Sequence, residues 1–327
     1  MKLVPITNIE LNTPPMKNFF NLIRWKSVVL CLIALIVVRF FLIKPFYLNF
    51  VGGFISPVSN LEYFIFCFSI LLVAIASILI NEYFDQDIDK INRAEKDLYI
   101  GKIISAKRVL SLFYILSISA ILISYVIGYL NGFLHLGSLM IVFVFMSYFY
   151  SLKYKRSFVV GNLVVAILYS MVVFLPVLFE VFALMNAPGG LFKVIILPLK
   201  QELLYVTLFF TLLTFLLTLI REIVGDMQDE EGDRECETHS IVVLLGEKKT
   251  KNILYILSSI FIAVTLYFLV TRYTNISLII CVLIVCVPML FFLRELKNAK
   301  SIQDYGFLSE FLRMMFVSGL FMIINIY

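Results

Sequence analysis

From Tyr63 to Asp89 the chain reads YFIFCFSILLVAIASILINEYFDQDID. The stretch Tyr63–Ile80 carries no charged residue, and it is followed at once by Asn81, Glu82, Asp85, Asp87 and Asp89. A run of about 20 apolar residues crosses the hydrocarbon core of a bilayer as a helix. This segment therefore predicts a membrane helix that ends in a cluster of oxygen ligands at the membrane boundary.

The apolar half of the pattern recurs along the chain. Of 327 residues, 61% are hydrophobic, with 32 Phe and 17 Tyr. Soluble domains hold about 45–50% apolar residues, so the excess exceeds what a core needs. Apolar runs lie at about 22–43, 63–83, 107–129, 133–150, 160–182, 203–221, 252–271, 276–293 and 306–325. They are too long for barrel strands, and only helices or closed barrels satisfy their backbone in lipid. The expected fold is all-α: a polytopic membrane protein with nine transmembrane helices. One membrane domain is expected over 1–327, with a polar segment at 1–20 and two charged caps, about 84–106 and 222–250. Residues 1–18 have no apolar core and do not read as a cleavable signal peptide.

The net charge of +5 reflects topology. Arg24 and Lys26 lie at the first span, and Lys90, Arg93, Lys96, Lys102, Lys107 and Arg108 follow the second. Lys153, Lys155 and Arg156 follow the fourth, Arg221, Arg234, Lys248, Lys249 and Lys251 the sixth, and Arg294, Lys297 and Lys300 the eighth. The opposite loops offer Lys44, Lys193, Lys200 and Arg272, with Arg39 near the end of the first span. The positive-inside rule puts the N-terminus and both caps in the cytoplasm and the C-terminus outside. Basic residues beside spans, with no basic domain, exclude nucleic acid as a partner. The five cysteines form no CxxC pair, which argues for buried thiols over a zinc site or disulfide framework.

Both caps are acidic with helical spacing. Asn81, Asp85 and Asp89 fall at i, i+4 and i+8, on one face if the second helix continues. Glu222, Asp226, Asp229 and Asp233 step i, i+4, i+7 and i+11, again on one face. Clustered carboxylates at a membrane boundary are costly without a cation. Mg²⁺ suits them: it takes oxygen ligands from a few carboxylates and completes its shell with water and phosphate oxygens. Two such stripes on one side can hold Mg²⁺ with a diphosphate between them. Solvated acidic loops are the plain alternative, and two regular clusters weaken it. A cation transporter also uses intramembrane carboxylates, but usually near the midplane rather than at helix ends.

The first stripe resembles the N-x-x-x-D-x-x-x-D signature of the UbiA superfamily of intramembrane prenyltransferases. Asn92-Arg93-Ala94-Glu95-Lys96-Asp97 and Gly101-Lys102-Ile103 continue it, with Ala94 and Asp97 where the superfamily has prolines and Lys96 where it has arginine. Asp229 and Asp233 resemble its second motif, and the run Arg221 to Arg234 is most similar to the archaeal-lipid branch, which includes geranylgeranylglyceryl phosphate geranylgeranyltransferase. Tyr150-Ser151-Leu152-Lys153, Arg156 and Gly161-Asn162 resemble the patch on the fourth and fifth helices, while Arg24-Trp25-Lys26-Ser27 matches the usual R-P-x-N only at arginine.

The resemblance implies a nine-helix fold, a cavity open to lipid, a polyprenyl diphosphate donor and an aromatic or lipid-like acceptor such as geranylgeranylglyceryl phosphate. It implies that Asn81, Asp85, Asp89, Asp226, Asp229 and Asp233 hold Mg²⁺. Lys102, Lys153, Arg156 and Arg234 are the candidate contacts of the donor diphosphate. Asp85, Asp229, Lys153 and Tyr150 are the residues expected to act on the reacting groups. An aromatic prenyltransferase of quinone synthesis is the alternative enzyme. Asn162 is expected to bond another helix or face the cavity, Glu310 and Arg313 to pair, and Glu180 to have no evident partner.

Overall fold

A segment in lipid has to satisfy its own backbone hydrogen bonds, and the apolar runs of this chain do so as helices. The computed structural model describes residues 20–50, 56–86, 100–101, 104–186, 192–235, 238–273, 275–324 and 326. Among them nine helices are long and apolar enough to cross a membrane. They are α1 (Trp25–Asn49), α2 (Asn60–Phe84), α3 (Ala106–Leu130), α4 (His135–Leu152), α5 (Val160–Asn186), α6 (Phe192–Gln228, spanning from Lys200), α7 (Glu247–Arg272), α8 (Ile276–Asn298) and α9 (Ile302–Ile324). The only strand-like pairing among the described residues is one bridge, Ile100 to Ile104. Every expected span is present, and several run longer than their apolar cores because polar residues cap them. Ser59 and Glu62 form a reciprocal capping box that starts α2 at Asn60, satisfying N–H groups the first turn would leave open.

α6 is the central helix. Two thirds of its apolar window (67%) is buried inside the protein, against 28% for α3 and for α8. It packs on α5, α7 and α9, while α2 packs on α3 and α4, and α1 touches α2, α5 and α9. Leu122, Val126, Leu283 and Leu290 are exposed on the outer helices; in a membrane protein such side chains face lipid. The ends of α2, α4 and α6 and the starts of α3, α5 and α7 gather at one end of the bundle, termed here the acidic end.

The opposite end is closed by a buried ionic network. α1 contains a π-helical turn, Val38–Ile43, that carries Arg39. Arg39 forms a buried ion pair with Glu180 of α5. Its guanidinium also donates to the Val58 carbonyl at 2.6 Å and to Asn60 Oδ1 at 3.1 Å. Ser56 and Tyr47 donate to Glu180 at 2.9 and 3.2 Å. Glu180, expected to lack a partner, thus has several. The pairing was hidden because Arg39 and Glu180 lie 141 residues apart.

Removing one member of a buried, hydrogen-bonded pair strands the other charge and typically costs about 3–5 kcal/mol, whereas replacing both by apolar residues is often close to neutral. Glu180→Ala is therefore expected to lower the Tm of the detergent-solubilised protein sharply, and Arg39→Leu with Glu180→Leu to recover much of the loss. A Tm unchanged by Glu180→Ala would show that the network does not hold α1 to α5.

Candidate active site

The first acidic stripe is built on the last turn of α2. The backbone N–H of Asp85 donates to the Asn81 carbonyl at 3.0 Å, and Asp85 keeps right-handed dihedrals (φ −84°, ψ −4°) as the C-cap. The helical register therefore carries through Asp85, and Asn81 Nδ2 donates to Asp85 Oδ2 at 2.6 Å. Asp89 and Lys102 lie outside the described residues. Glu82, one residue around the helix, is buried and pairs with Arg24 at 2.8 Å.

The second stripe follows the same logic. Glu222 and Asp226 lie on α6. The chain bends at Asp229 and enters a short helix, Glu230–Glu235. Asp229 N–H donates to the Gly225 carbonyl and Asp233 N–H to the Asp229 carbonyl, each at 3.0 Å, so one helical path joins all four carboxylates. Asn162 of α5 donates to Asp226 Oδ2 at 2.8 Å.

The two stripes meet. Asp233 is within electrostatic reach of Asp229, Lys155 and Asp85, and Asp226 of Asp233, Glu222 and Asp229. Lys155 bridges the motifs by pairing with Asp85 Oδ2, whose side chain is 4% exposed. A 3₁₀ turn, Tyr154–Arg156, presents that lysine. The turn lies directly on Gly161: a Cβ there would meet the Tyr154 carbonyl oxygen at 2.9 Å and Lys155 Cα at 3.2 Å. The missing side chain of Gly161 is what lets the turn press onto α5 and deliver Lys155 to Asp85.

Does this set suit a divalent cation? Asn81 Oδ1 is buried with no hydrogen-bond partner, and an amide oxygen of that kind is a hard-cation ligand. Burial raises the carboxyl pKa of Asp233 above the usual range, and the Asp229 charge adds to the rise; a bound cation would relieve both effects. The Lys155 ammonium already sits on Asp85 as a positive counter-charge. Among the described residues no three of the His, Cys, Asp and Glu side chains lie close enough to ligate one ion by themselves. The donor set thus fits an ion held by a few protein oxygens and completed by water and phosphate, rather than an all-protein cage.

A cavity of about 240 Å³ opens beside the stripes, with Asn81 and Glu222 in its wall. Its polar rim also holds Arg24, Tyr150, Tyr169 and Arg221, and its depth is lined by apolar residues such as Ile70, Val73, Leu213, Phe261 and Met315. Tyr150 lies within electrostatic reach of Glu222, Asp85, Asp226 and Arg24. Tyr148 packs on Phe84 and Phe113. Lys153 caps α4 and is exposed. Arg234 is 62% exposed and pairs with Glu230 at 2.7 Å. Arg156 lies in the 3₁₀ turn, and its side chain is outside the described set.

Sequence reasoning did not single out Lys155, Arg24 or Arg221 as site residues. Lys155 stands in a run with Lys153 and Arg156, and only the turn decides which cation reaches inward. Arg24 carried a signal, being the one match in its motif. Arg313 also lines the cavity, and it pairs with Glu310 at 3.0 Å as their spacing suggests.

The sequence profile of the UbiA prenyltransferase family matches residues 50–320. The digeranylgeranylglyceryl phosphate synthase of Methanosphaera stadtmanae is 31% identical over 214 residues, 65% of this chain and 67% of that protein. A solved structure of a digeranylgeranylglyceryl phosphate synthase superposes with a TM-score of 0.59 at 19% identity, over 95% of this chain and 97% of the other. A UbiA homolog from Archaeoglobus fulgidus, bound to DMAPP and Mg²⁺, superposes with a TM-score of 0.54 at 16% identity, over 95% of this chain and all of the other (100%).

Only the ionised carboxylate binds a cation well, so metal affinity falls as pH drops through the carboxyl pKa. Because the Asp233 pKa is raised, the loss is expected to begin at a higher pH than for an ordinary aspartate. Calorimetric titration with Mg²⁺ alone at several pH values checks this. Asp233→Asn is expected to weaken binding and flatten its pH dependence; an unchanged profile would remove Asp233 from the site.

Proposed function

This chain belongs to the UbiA prenyltransferase family, and from that premise we propose that it moves a geranylgeranyl-type chain from its diphosphate to the free hydroxyl of a prenylated glyceryl phosphate. The observation that carries the reading is the convergence of two acidic stripes, from α2 and α6, at the rim of a largely apolar cavity. The likeness to synthases of digeranylgeranylglyceryl phosphate supports the choice of acceptor.

In this reading Asn81, Asp85, Asp89, Asp226, Asp229 and Asp233 hold Mg²⁺, which when bound offsets the charge that develops on the departing diphosphate. Asn162 fixes the Asp226 carboxylate by its 2.8 Å hydrogen bond. Lys155 holds Asp85 in place between the two stripes. Lys102, Lys153, Arg156 and Arg234 are assigned to the outer phosphate oxygens. The deep cavity walls take the prenyl chain and keep water from the reacting carbon. Tyr150, at the rim, offers a ring face to positive charge at that carbon. The allylic C–O bond breaks, the acceptor oxygen bonds to the freed carbon, and the hydroxyl proton leaves with the diphosphate. An allylic cation is electrophilic enough for a neutral hydroxyl, so the step needs no strong base.

We place the acidic end, the N-terminus and both caps on the cytoplasmic side, and the C-terminus on the other, because the lysines and arginines cluster beside the acidic end. One membrane-embedded domain accounts for the whole chain.

The test is incubation of the purified protein with Mg²⁺, geranylgeranyl diphosphate, and either geranylgeranylglyceryl phosphate or an aromatic quinone precursor, with products read by mass spectrometry. An EDTA-sensitive diether is expected. A prenylated ring would replace the acceptor assignment. Asp85→Asn is expected to cut turnover about 10²–10³-fold, the usual scale for losing electrostatic support of developing charge, while size-exclusion behaviour stays that of the parent. Full activity in that variant would remove Asp85 from the metal assignment.

A further inference from the structure

Two cavity arginines adjoin the acidic stripes on their deeper side: Arg221 pairs with Glu222, the first carboxylate of the second stripe, and Arg24 lies within electrostatic reach of Asp85. Arg24 lies at the residue preceding α1, and Arg221 on α6. Both line the cavity. Tyr169 of α5 lines it too, within electrostatic reach of both. The Arg221 guanidinium carbon lies 5.3 Å from the centre of the Tyr169 ring. Each arginine has one carboxylate partner, Glu82 for Arg24 and Glu222 for Arg221.

Those partners leave donors over. A guanidinium has five N–H groups. Arg24 spends Nε and Nη2 on Glu82, at 3.2 and 2.8 Å, while its side chain stays 46% exposed beside the cavity. Arg221 spends Nη2 on Glu222, and its Nε is buried with no partner at all. A buried, unpartnered charged donor is costly, and two guanidiniums within reach of each other add repulsion. A guanidinium keeps its charge throughout the ordinary pH range, and the Glu82 carboxylate beside Arg24 favours that charge.

We propose that Arg221 and Arg24, with Tyr169 beside them, form an anion subsite inside the cavity that takes the phosphate monoester of the acceptor. This rests on the reading that the acceptor is a prenylated glyceryl phosphate, and it assigns that phosphate a place separate from the donor diphosphate. Planar guanidiniums match phosphate oxygens in paired fashion. The location fits as well. Arg221 precedes Asp226 by five residues on one helix, which puts it about 7–8 Å deeper along the axis. A phosphate held there leaves the neighbouring glycerol hydroxyl near the diphosphate end of the donor. The subsite explains how one cavity sorts two anionic lipids: the diphosphate goes to the carboxylate stripes with their cation, and the monoester goes to the arginines without one.

The test compares the full-length protein with Arg221→Gln and Arg221→Lys, using geranylgeranylglyceryl phosphate and the matching phosphate-free alcohol as acceptors. The ratio of kcat/KM for phosphate over alcohol is expected to fall about 10–100-fold in Arg221→Gln, the scale of a hydrogen bond to a charged group. Arg221→Lys should lie between, and the KM for geranylgeranyl diphosphate should stay that of the parent. A merely structural role would lower both acceptors alike and leave the ratio untouched, which overturns the proposal. A raised donor KM with an unchanged ratio overturns it too, assigning the arginines to the diphosphate. A second arm measures binding of the same phosphate and alcohol lipids to the protein without donor or Mg²⁺. If the parent makes no ether product, the proposed function fails, and this arm still decides. Phosphate-selective binding lost in Arg221→Gln upholds the subsite; binding without selectivity sinks it.

Discussion

A carboxylate can enter a low-dielectric helix bundle only with a cation or a hydrogen-bond donor beside it, and the arrangement of this bundle depends on how that demand is met. Four buried or partly buried acids each take a partner from another element. Glu180 of α5 takes Arg39 of α1, and Glu82 of α2 takes Arg24 at the start of α1. Asp85 takes Lys155 from the turn after α4, and Asp226 of α6 takes Asn162 of α5. In lipid, apolar faces discriminate poorly between neighbouring helices, because the tails are as apolar as leucine. The polar pairs supply much of that discrimination.

The two ends of the bundle meet the demand differently. Away from the acidic end, Glu180 receives Arg39, Ser56 and Tyr47, and Arg39 also reaches Asn60 and the Val58 carbonyl. That network is closed on itself and is structural. At the acidic end Asn81 Oδ1 and Arg221 Nε remain buried and unpartnered, and Asp233 lies within reach of both Asp229 and Asp85. Polar groups left incomplete next to a cavity are where a ligand gains the most by binding.

Much of this was legible in the sequence, for a physical reason. A bilayer forces the helical period and a minimum length on each apolar run, so all nine spans could be read without any knowledge of packing. The acidic stripes were legible too, since i, i+4 spacing needs only a local helix: Asn81 to Asp85 is a direct 2.6 Å contact. What escaped were choices made in three dimensions. Lys153, Lys155 and Arg156 are equivalent as text, and Lys155 is selected because Gly161 lets the Tyr154–Arg156 turn press on α5. Arg39 meets Glu180 across most of the chain's first half, aided by a π turn that apolar periodicity does not reveal. The nearness of Arg24 and Arg221 emerges only when segments distant in sequence wall the same cavity.

The distribution of charge along that cavity also separates prenyl transfer from ion transport. A transported cation needs successive oxygen ligands through the hydrophobic thickness, usually centred near the midplane. Here the one carboxylate among the cavity's described lining residues, Glu222, lies towards the acidic end. Beyond Ser77, Ser147 and Thr214 the lining is apolar except for Arg313, in the middle of α9. Arg313 is paired with Glu310, and no carboxylate among the described lining residues stands at that depth to receive a cation. An apolar chain with an anionic head meets no such obstacle: the deep walls suit its tail, and the polar groups of Arg24, Arg221 and Asn81 lie towards the acidic end. The same geometry answers a chemical need, since an allylic cation formed at the rim is short-lived in water and survives where the wall excludes it. Acidic groups at one end and a largely apolar cavity behind them are therefore a single requirement, set by a reaction whose leaving group is ionic and whose electrophile is a hydrocarbon.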